Sequence, residues 1–254
     1  MRMDVLGCDG GIGDGHCSMA LRIDDDVLVD AGTGLARLTS DEIARIDHVF
    51  LTHSHMDHMA LLPLLIDTRM KLRKAPLTLH GIPETDEIIR SHIFNGCIWP
   101  DATKIPSPDA PALRYAPVAM GERMVLGDRA FTPVPAVHTV PAVGYRLDSP
   151  EATVMFSGDS AVCEPFWEQV ADIPNLHGLI VEVSYRNGRE ELAHAAGHLC
   201  PSMLAPKLAA LRKPVDVYIA HRKPIDAEQI VREVPAIAGI HRMHILKAGD
   251  VLNW

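Results

Sequence analysis

Three histidines and an aspartate lie within six positions of this sequence, and their types and spacing suit a metal site. They are His53, His55, Asp57 and His58. The apolar residues 49–51 directly precede them and predict a short buried strand, so the four polar side chains follow a strand end. Because side chains alternate along an extended chain, His53 and His55 are expected to point the same way.

Imidazole and carboxylate groups are ligands that suit zinc, manganese and iron. One ion could bind the two strand histidines, and a second could bind Asp57 and His58 in the turn that follows. The spacing therefore predicts a dinuclear site. The alternative is a surface cluster of histidines without metal, but four such ligands at a strand end rarely arise from composition alone.

The motif resembles the His-x-His-x-Asp-His signature of the metallo-β-lactamase superfamily. Other residues match the remaining positions of that family in the same order along the chain, each after a strand-like stretch. The resemblance implies that one ion is held by His53, His55 and His138, the other by Asp57, His58 and His221, with Asp159 bridging them. It also implies that Asp30 supports the site from behind the ligands.

Strand-like runs alternate with helical patterns along the chain, which indicates an α/β protein. The resemblance implies an αββα sandwich, with two facing mixed sheets and helices outside. Because the ligands from His53 to His221 must converge, residues 1–254 are predicted to form a single domain. Helices are predicted to start at Thr39 and Pro83 and to span 164–170, 201–211 and 226–234. Strands are predicted at 3–7, 18–23, 26–30, 47–52, 76–80, 122–126, 129–137, 143–147, 152–156, 178–183, 215–220 and 244–247.

The composition limits the kinds of partner that this protein is expected to bind. The net charge of −9 works against extended nucleic-acid binding, which depends on neutralising phosphates with Lys and Arg. No apolar run approaches the ~20 residues of a membrane span, and the first residues lack the apolar region of a secretion signal. Five cysteines without a Cys-x-x-Cys pair fit a reducing compartment. We therefore expect a cytoplasmic protein with no membrane partner, and a homodimer is compatible with the sequence.

Three local matches resemble the class II 3′,5′-cyclic-nucleotide phosphodiesterases. Glu182, in Glu-Val-Ser-Tyr, and His198, in Gly-His-Leu-Cys-Pro, look like that class's Glu-x-Ser and Gly-His-Leu-Thr-Pro pair. Asn95 and Trp99 lie in a segment like its Phe-Asn-x-x-Ile-Trp-Pro, and His221-Arg-Lys-Pro resembles its His-x-Lys-Pro ending. The spacing of Asn95 and Trp99 has no obvious folding reason, so both are predicted to bind the substrate.

The resemblance implies hydrolysis of a small phosphodiester, cyclic AMP or cyclic GMP, to the 5′-monophosphate. Two divalent ions, with zinc favoured over manganese or iron, would activate a bridging hydroxide. His198 would contact the substrate and give a proton to the leaving 3′ oxygen, with Glu182 orienting its ring. Asp57 is the third residue predicted to be catalytic.

Other functions remain open on the same fold, which hosts many hydrolases. A nuclease of the transfer-RNA 3′-processing type would share the Glu182 and His198 pair, but an inserted basic arm would be expected. A thioester, lactone or β-lactam hydrolase would leave that pair unexplained. A binding protein without activity is hard to reconcile with the intact ligand set.

Overall fold

In residues 1–73 and 75–254, which the computed structural model describes, the main strands form two sheets of seven. A separate two-stranded hairpin is made by β6 and β7. In chain order the strands are β1 (Arg2–Gly7), β2 (Ala20–Ile23), β3 (Val27–Val29), β4 (His48–Phe50), β5 (Leu77–His80), β6 (Pro106–Ser107), β7 (Ala110–Pro111), β8 (Leu113–Tyr115), β9 (Met124–Leu126), β10 (Arg129–Pro135), β11 (Val143–Asp148), β12 (Thr153–Phe156), β13 (Leu176–Glu182), β14 (Asp216–Ala220), β15 (Arg242–Ile245) and β16 (Val251–Asn253).

The helices lie between these strands in the sequence, and two short 3-10 helices cover Thr33–Arg37 and Val234–Ile237. They are α1 (Ser40–Arg45), α2 (Met56–Met59), α3 (Leu62–Leu72), α4 (Pro83–His92), α5 (Glu164–Asp172), α6 (Glu190–Ala195), α7 (Pro201–Ala210) and α8 (Ala227–Glu233). The predicted start at Thr39 is confirmed, because its side chain and that of Glu42 form a capping box on α1. Over the part of the chain that the structure describes, none of these helices has the length and apolar character needed to cross a membrane.

Both sheets mix parallel and antiparallel pairs. The first has the order β16-β1-β2-β3-β4-β5-β8 and becomes parallel from β3 onward. The second has the order β15-β14-β13-β12-β11-β10-β9 and is parallel from β12 to β15. Parallel pairs need crossover connections, which the helices on the outer faces provide.

Three apolar clusters hold the layers together. The inner core lies between the sheets and includes Phe50 of the first sheet with Phe131 and Tyr145 of the second. The first outer core packs α3 against the first sheet, and the second outer core packs α5, α7 and α8 against the second sheet. Two sheets face to face with helices on both outer sides confirm the predicted αββα sandwich.

Several short elements differ from the prediction. Strands β8 and β16 and the hairpin of β6 and β7 are not among the predicted strands, and β15 begins at Arg242 instead of residue 244. All of these strands have four residues or fewer, and β8, β15 and β16 are at or next to sheet edges. Strands this short show little periodicity in their own sequence. Whether they form depends more on pairing with a neighbouring strand.

The strand ends explain why distant polar residues meet. In parallel strands the carboxyl ends lie at the same edge of a sheet, and the residues that follow them converge there. Asp30 follows β3, and the 53–58 motif follows β4. In the facing sheet the carboxyl-end positions belong to Asp159 after β12, Glu182 at the end of β13 and His221 after β14.

Candidate metal centre and active site

The first group of candidate ligands is His53, His55 and His138, whose ligand atoms all lie within 4.8 Å of one another. Nδ1 of His55 is 3.1 Å from Nε2 of His138. Nδ1 of His138 donates to the carbonyl oxygen of Gly197 at 2.9 Å, which leaves its Nε2 free to act as a ligand. Nδ1 of His53 contacts the Thr52 hydroxyl, while its buried Nε2 has no hydrogen-bond partner among the described residues. A buried ring nitrogen without a hydrogen-bond partner is what a metal ligand looks like before its ion is bound.

Asp57, His58 and His221 form the second group. Nε2 of His221 lies 3.2 Å from Nε2 of His58 and 3.2 Å from Oδ2 of Asp57. Asp57 and His58 are on α2, the short helix that begins directly after His55. The motif therefore supplies both groups, because the chain turns from extended to helical between its second histidine and its aspartate.

Asp159 contacts both groups. Its Oδ2 is 3.2 Å from Nε2 of His58, 3.1 Å from Nε2 of His221 and 3.9 Å from Nε2 of His53. Ligands at the usual zinc distances of ~2.0–2.1 Å in a tetrahedron are about 3.3 Å apart. The closer separations match that value, so the donor set fits zinc-type ions and Asp159 has the geometry expected of a bridging ligand.

The protonation of this cluster is set by its own charges. Burial raises the pKa of the Asp159 carboxyl, but His221 and His58 outweigh burial and hold that pKa well below its ordinary value. Burial lowers the pKa of His58, but Asp159 and Asp30 raise it overall to well above the ordinary value. For His53, burial dominates and lowers the pKa well below the ordinary value. Asp159 is thus ionised at neutral pH, as a metal ligand must be.

Asp30 is joined to the cluster by hydrogen bonds, as the resemblance implied. Its Oδ1 accepts from the backbone N–H of Thr52 at 2.9 Å, and its Oδ2 lies 2.7 Å from Nδ1 of His58. Asp30 and His221 both have the left-handed backbone conformation, with φ values of 62° and 55°. Strained residues of this kind persist where surrounding contacts hold them, and they concentrate at functional sites.

His198 lies beside the cluster and is held by Glu182 and Ser184. Its Nδ1 is 2.8 Å from Oε1 of Glu182 and 3.2 Å from Oγ of Ser184. Ser184 donates to Oε2 of Glu182 at 2.9 Å, and its Oγ lies 2.9 Å from Nδ1 of His221. Burial lowers the pKa of His198, but the Glu182 carboxylate more than compensates and the pKa is raised. A protonated imidazole next to a metal-type cluster can donate a proton.

Three residues of the site were not singled out from the sequence. Ser184 connects Glu182, His198 and His221, and it was visible only as the serine of the Glu-x-Ser match. Thr52 bridges Asp30 to His53, and no spacing pattern marks it. Lys223 brings its Nζ to 3.7 Å from Oδ2 of Asp57, which its place in the His-x-Lys-Pro match could have suggested.

Asn95 has a local structural role. Its Oδ1 accepts from the backbone N–H groups of Cys97 and Ile98 at 2.9 Å each, and its Nδ2 donates to the Ser91 carbonyl. These bonds form a turn after α4. The expectation that this asparagine has no folding reason is therefore wrong.

Trp99 also has a packing role, against the first outer core. It lines a small cavity with Ala112, whose carbonyl accepts from the N–H of Leu77, the first residue of β5. The candidate ligands instead follow the last residues of the strands. Trp99 thus lies toward the other end of the sheet, and substrate binding by Asn95 and Trp99 stays a prediction that this geometry does not favour.

A family comparison agrees with the site. Residues 25–221, well over half of the chain, match the family model described as "Beta-lactamase superfamily domain". The chain belongs to this superfamily. The match includes every candidate metal ligand, from His53 to His221, and confirms the family resemblance.

Individual relatives are distant. A Yersinia pestis protein named "Probable 3′,5′-cyclic-nucleotide phosphodiesterase" is 26% identical, over 87% of this chain and 77% of its own length. The Saccharomyces cerevisiae "3′,5′-cyclic-nucleotide phosphodiesterase 1" is 25% identical, over 65% of this chain and 51% of its own length. "Ribonuclease Z" of a Bradyrhizobium species is 32% identical, over 42% of this chain and 34% of its own length.

Solved structures share the fold over the whole chain. The crystal structure of unliganded yeast PDE1 superposes with a TM-score of 0.82 at 19% identity, covering 99% of this chain and 98% of that one. The metallo-beta-lactamase fold protein YhfI of Bacillus subtilis gives a TM-score of 0.81 at 18% identity, covering 99% of both chains. The predicted metallo-β-lactamase-type sandwich is therefore confirmed.

Proposed function

We propose that this protein is a metal-dependent phosphodiesterase that hydrolyses 3′,5′-cyclic nucleotides to 5′-monophosphates. The observation that carries the proposal is the contact of His198 with Glu182 beside the seven candidate ligands. A metal-type cluster alone would serve any hydrolase of this fold. A buried imidazole oriented by a carboxylate is needed where the leaving group is a poor one, such as a sugar oxygen.

His53, His55 and His138 would hold one divalent ion, and Asp57, His58 and His221 the other, with Asp159 serving both. Such ions, most fittingly zinc, would supply an activated water and positive charge for the phosphate. The Gly197 carbonyl and the Asp30 carboxylate would keep the rings of His138 and His58 turned toward them.

The chain's own residues would handle the proton. Since the Glu182 carboxylate can only accept, Nδ1–H of His198 donates to it, and Nε2 is the atom from which a proton can leave. As the cyclic phosphodiester of the substrate opens, negative charge grows on the 3′ oxygen, and Nε2–H of His198 would protonate that oxygen. Lys223, whose Nζ is near Asp57, would add positive charge at the entrance.

The named relatives support this reaction class in different degrees. The two relatives named as cyclic-nucleotide phosphodiesterases align over 87% and 65% of this chain, whereas the Bradyrhizobium Ribonuclease Z aligns over 42%. Because this Ribonuclease Z match covers only 34% of that protein, the nuclease reading is the weaker alternative. In a nuclease of this kind, the same residues would surround a phosphodiester of transfer RNA.

The deciding experiment is a substrate panel with zinc-loaded protein. It should contain cyclic AMP, cyclic GMP, a 2′,3′-cyclic nucleotide, a precursor transfer RNA, a thioester and a β-lactam. We expect 5′-AMP or 5′-GMP as the product, identified by chromatography. Cleavage of the precursor transfer RNA alone would replace the proposal with the nuclease, and turnover only of the thioester or β-lactam would exclude a phosphodiesterase.

A further inference from the structure

Aromatic side chains are scarce in this protein, with five Phe, four Tyr and three Trp. Within residues 1–73 and 75–254, all but one of them belong to the inner core or the two outer cores, or pack against one of these. The exception is Tyr185. An aromatic ring that contributes to no core is available for another contact.

Tyr185 lies against the proposed proton donor. Its ring centroid is 5.8 Å from that of His198, with the two planes at 62°. The backbone fixes this position, because the N–H groups of Ser184 and Tyr185 both donate to the carbonyl oxygen of Leu199, the residue after His198. The side chain is half-buried.

Exposed apolar side chains accompany the same site. Met56 precedes Asp57 in the sequence, and Val137 precedes His138. The turn that contains Ile12 lies against the segment that contains Ile225, because a Cβ on Gly11 would come within 3.0 Å of Pro224, and a Cβ on Gly10 would come within 2.8 Å of the His221 ring. The four exposures are 59% for Met56, 50% for Val137, 68% for Ile12 and 83% for Ile225. Apolar groups gathered around a charged centre indicate that the ligand has an apolar part.

We infer that Tyr185 forms the stacking surface for the planar base of the substrate, next to the phosphate-cleaving residues. The inference rests on the proposed function, since it takes the substrate to be a nucleotide. A flat aromatic ligand matches both observations, because its face can lie on the phenol ring while its edge meets aliphatic side chains. Stacking is tolerant of base identity, since every base has a π-face.

The test compares two ligands that share ribose and phosphate but differ in the base. Binding of 5′-AMP and of ribose 5-phosphate to the zinc-loaded protein would be measured by titration calorimetry. Since base stacking is worth ~1–3 kcal/mol, Tyr185→Leu should weaken 5′-AMP binding by about 5- to 150-fold. Ribose 5-phosphate, which has no base, should change by less than about twofold.

Two further variants separate stacking from other roles. Tyr185→Phe keeps the ring and should bind 5′-AMP as the wild type does. Tyr218→Leu removes a tyrosine ring that packs against the inner core and should leave the preference for 5′-AMP over ribose 5-phosphate unchanged. Melting curves and metal analysis of each variant would confirm that the fold and the ions are retained.

Any one of the following results would overturn the inference. A loss in Tyr185→Phe equal to that in Tyr185→Leu would assign the hydroxyl as the important group. An equal loss for ribose 5-phosphate would assign Tyr185 to phosphate binding or to ordering His198. A wild-type protein that gains nothing from the base, including one that binds neither ligand, would remove the stacking surface altogether.

The outcome is separable from that of the proposed function. A protein that binds 5′-AMP through Tyr185 but leaves cyclic nucleotides uncleaved would keep the inference and reject the cyclic-nucleotide substrate. Conversely, cleavage of cyclic AMP with no effect of Tyr185→Leu on 5′-AMP binding would keep the proposed function and reject the stacking role.

Discussion

Nδ1 of His198 lies 2.8 Å from Oε1 of Glu182, and both residues are almost completely buried. The carboxylate also receives the Ser184 hydroxyl and the Ser160 backbone N–H, so its position is fixed by three donors. This contact determines which nitrogen of His198 faces the substrate and raises the pKa of the ring. Two predictions depend on it directly.

His198→Ala should slow cleavage of cyclic AMP by about 10²–10⁴-fold, the usual contribution of a general acid. On bis(p-nitrophenyl) phosphate the loss should be much smaller, because p-nitrophenolate leaves without a proton. Single-turnover measurements would report the chemical step. His194→Ala, an exposed histidine of α6, should have no effect on either substrate. Equal losses on both substrates with metal retained would mean that His198 orders the site or binds phosphate.

Glu182→Gln should alter the pH dependence more than the maximal rate. Because the carboxylate holds the pKa of His198 above its ordinary value, the wild type keeps the ring protonated to higher pH. Without that charge, the alkaline fall in the rate on cyclic AMP should move to lower pH. A pH–rate profile of the zinc-loaded protein measures the shift. An unchanged alkaline limb would show that another group controls it.

Asp159→Ala should lose both metal ions together with the activity, because its carboxylate contacts a histidine of each group. Elemental analysis should find about two ions per wild-type chain, as a two-metal site requires. Asp109→Ala, at an exposed position, should retain the full complement. Two ions per chain in Asp159→Ala would contradict the bridging role.

The sequence carried most of the site because its residues follow regular elements. Apolar runs marked the strands, and polar residues directly after them had to gather at one edge of the sandwich. His53 could be found in this way, whereas His138 and His221 were assigned through the family resemblance. The contacts of Thr52 with Asp30 and of Tyr185 with His198 could not be predicted from the sequence, because they join residues far apart in it.

The folding role of Asn95 was missed for a different reason. Its side chain caps backbone N–H groups two and three residues ahead, which is a local pattern that asparagine often forms. The turn could have been recognised from the sequence before any role in binding was assigned. The short edge strands β8 and β16 were not recognisable in this way, since only their pairing partners define them.

Gly197→Ala should weaken metal binding through His138. Gly197 has a φ of 71°, and a Cβ there would come within 2.8 Å of Nδ1 of His138, the atom that donates to the Gly197 carbonyl. Disturbing a contact that orients a ligand typically lowers metal affinity by ~10–100-fold. Competition with a chromogenic chelator measures the zinc affinity.

A matched control separates the clash from the backbone strain. Gly127 has a φ of 64°, and a Cβ there would meet no atom within 4 Å. Gly127→Ala should therefore show the same conformational destabilisation of about 1–2 kcal/mol, with zinc affinity unchanged. If the two variants bind zinc equally well, Gly197 does not position His138.

Asp86→Asn should stabilise the protein at neutral and alkaline pH. Asp86 is 4% exposed, neither carboxyl oxygen has a hydrogen-bond partner among the described residues, and burial raises its pKa from 3.8 to about 7. A carboxyl that holds its proton more tightly when folded contributes stability below its unfolded pKa of about 4, and that contribution is lost as the pH rises through about 7. Since a tenfold change in proton affinity is worth about 1.4 kcal/mol, the asparagine variant should gain at most about 4 kcal/mol.

Urea unfolding of the zinc-loaded wild type and variant at each pH from 4 to 8 would measure this gain, because their difference cancels the metal contribution that both share. The advantage of Asp86→Asn should grow across this range and level off above pH 7. Asp216→Asn supplies a control of opposite sign, because hydrogen bonding to Arg242 lowers the pKa of Asp216 to about 2. That variant should be less stable than the wild type by a constant amount from pH 8 to about pH 4, because the deficit shrinks only as the pH falls through about 4 toward 2. A stability difference for Asp86→Asn that does not vary with pH would mean that this carboxyl is not the buried, uncompensated group that its surroundings indicate.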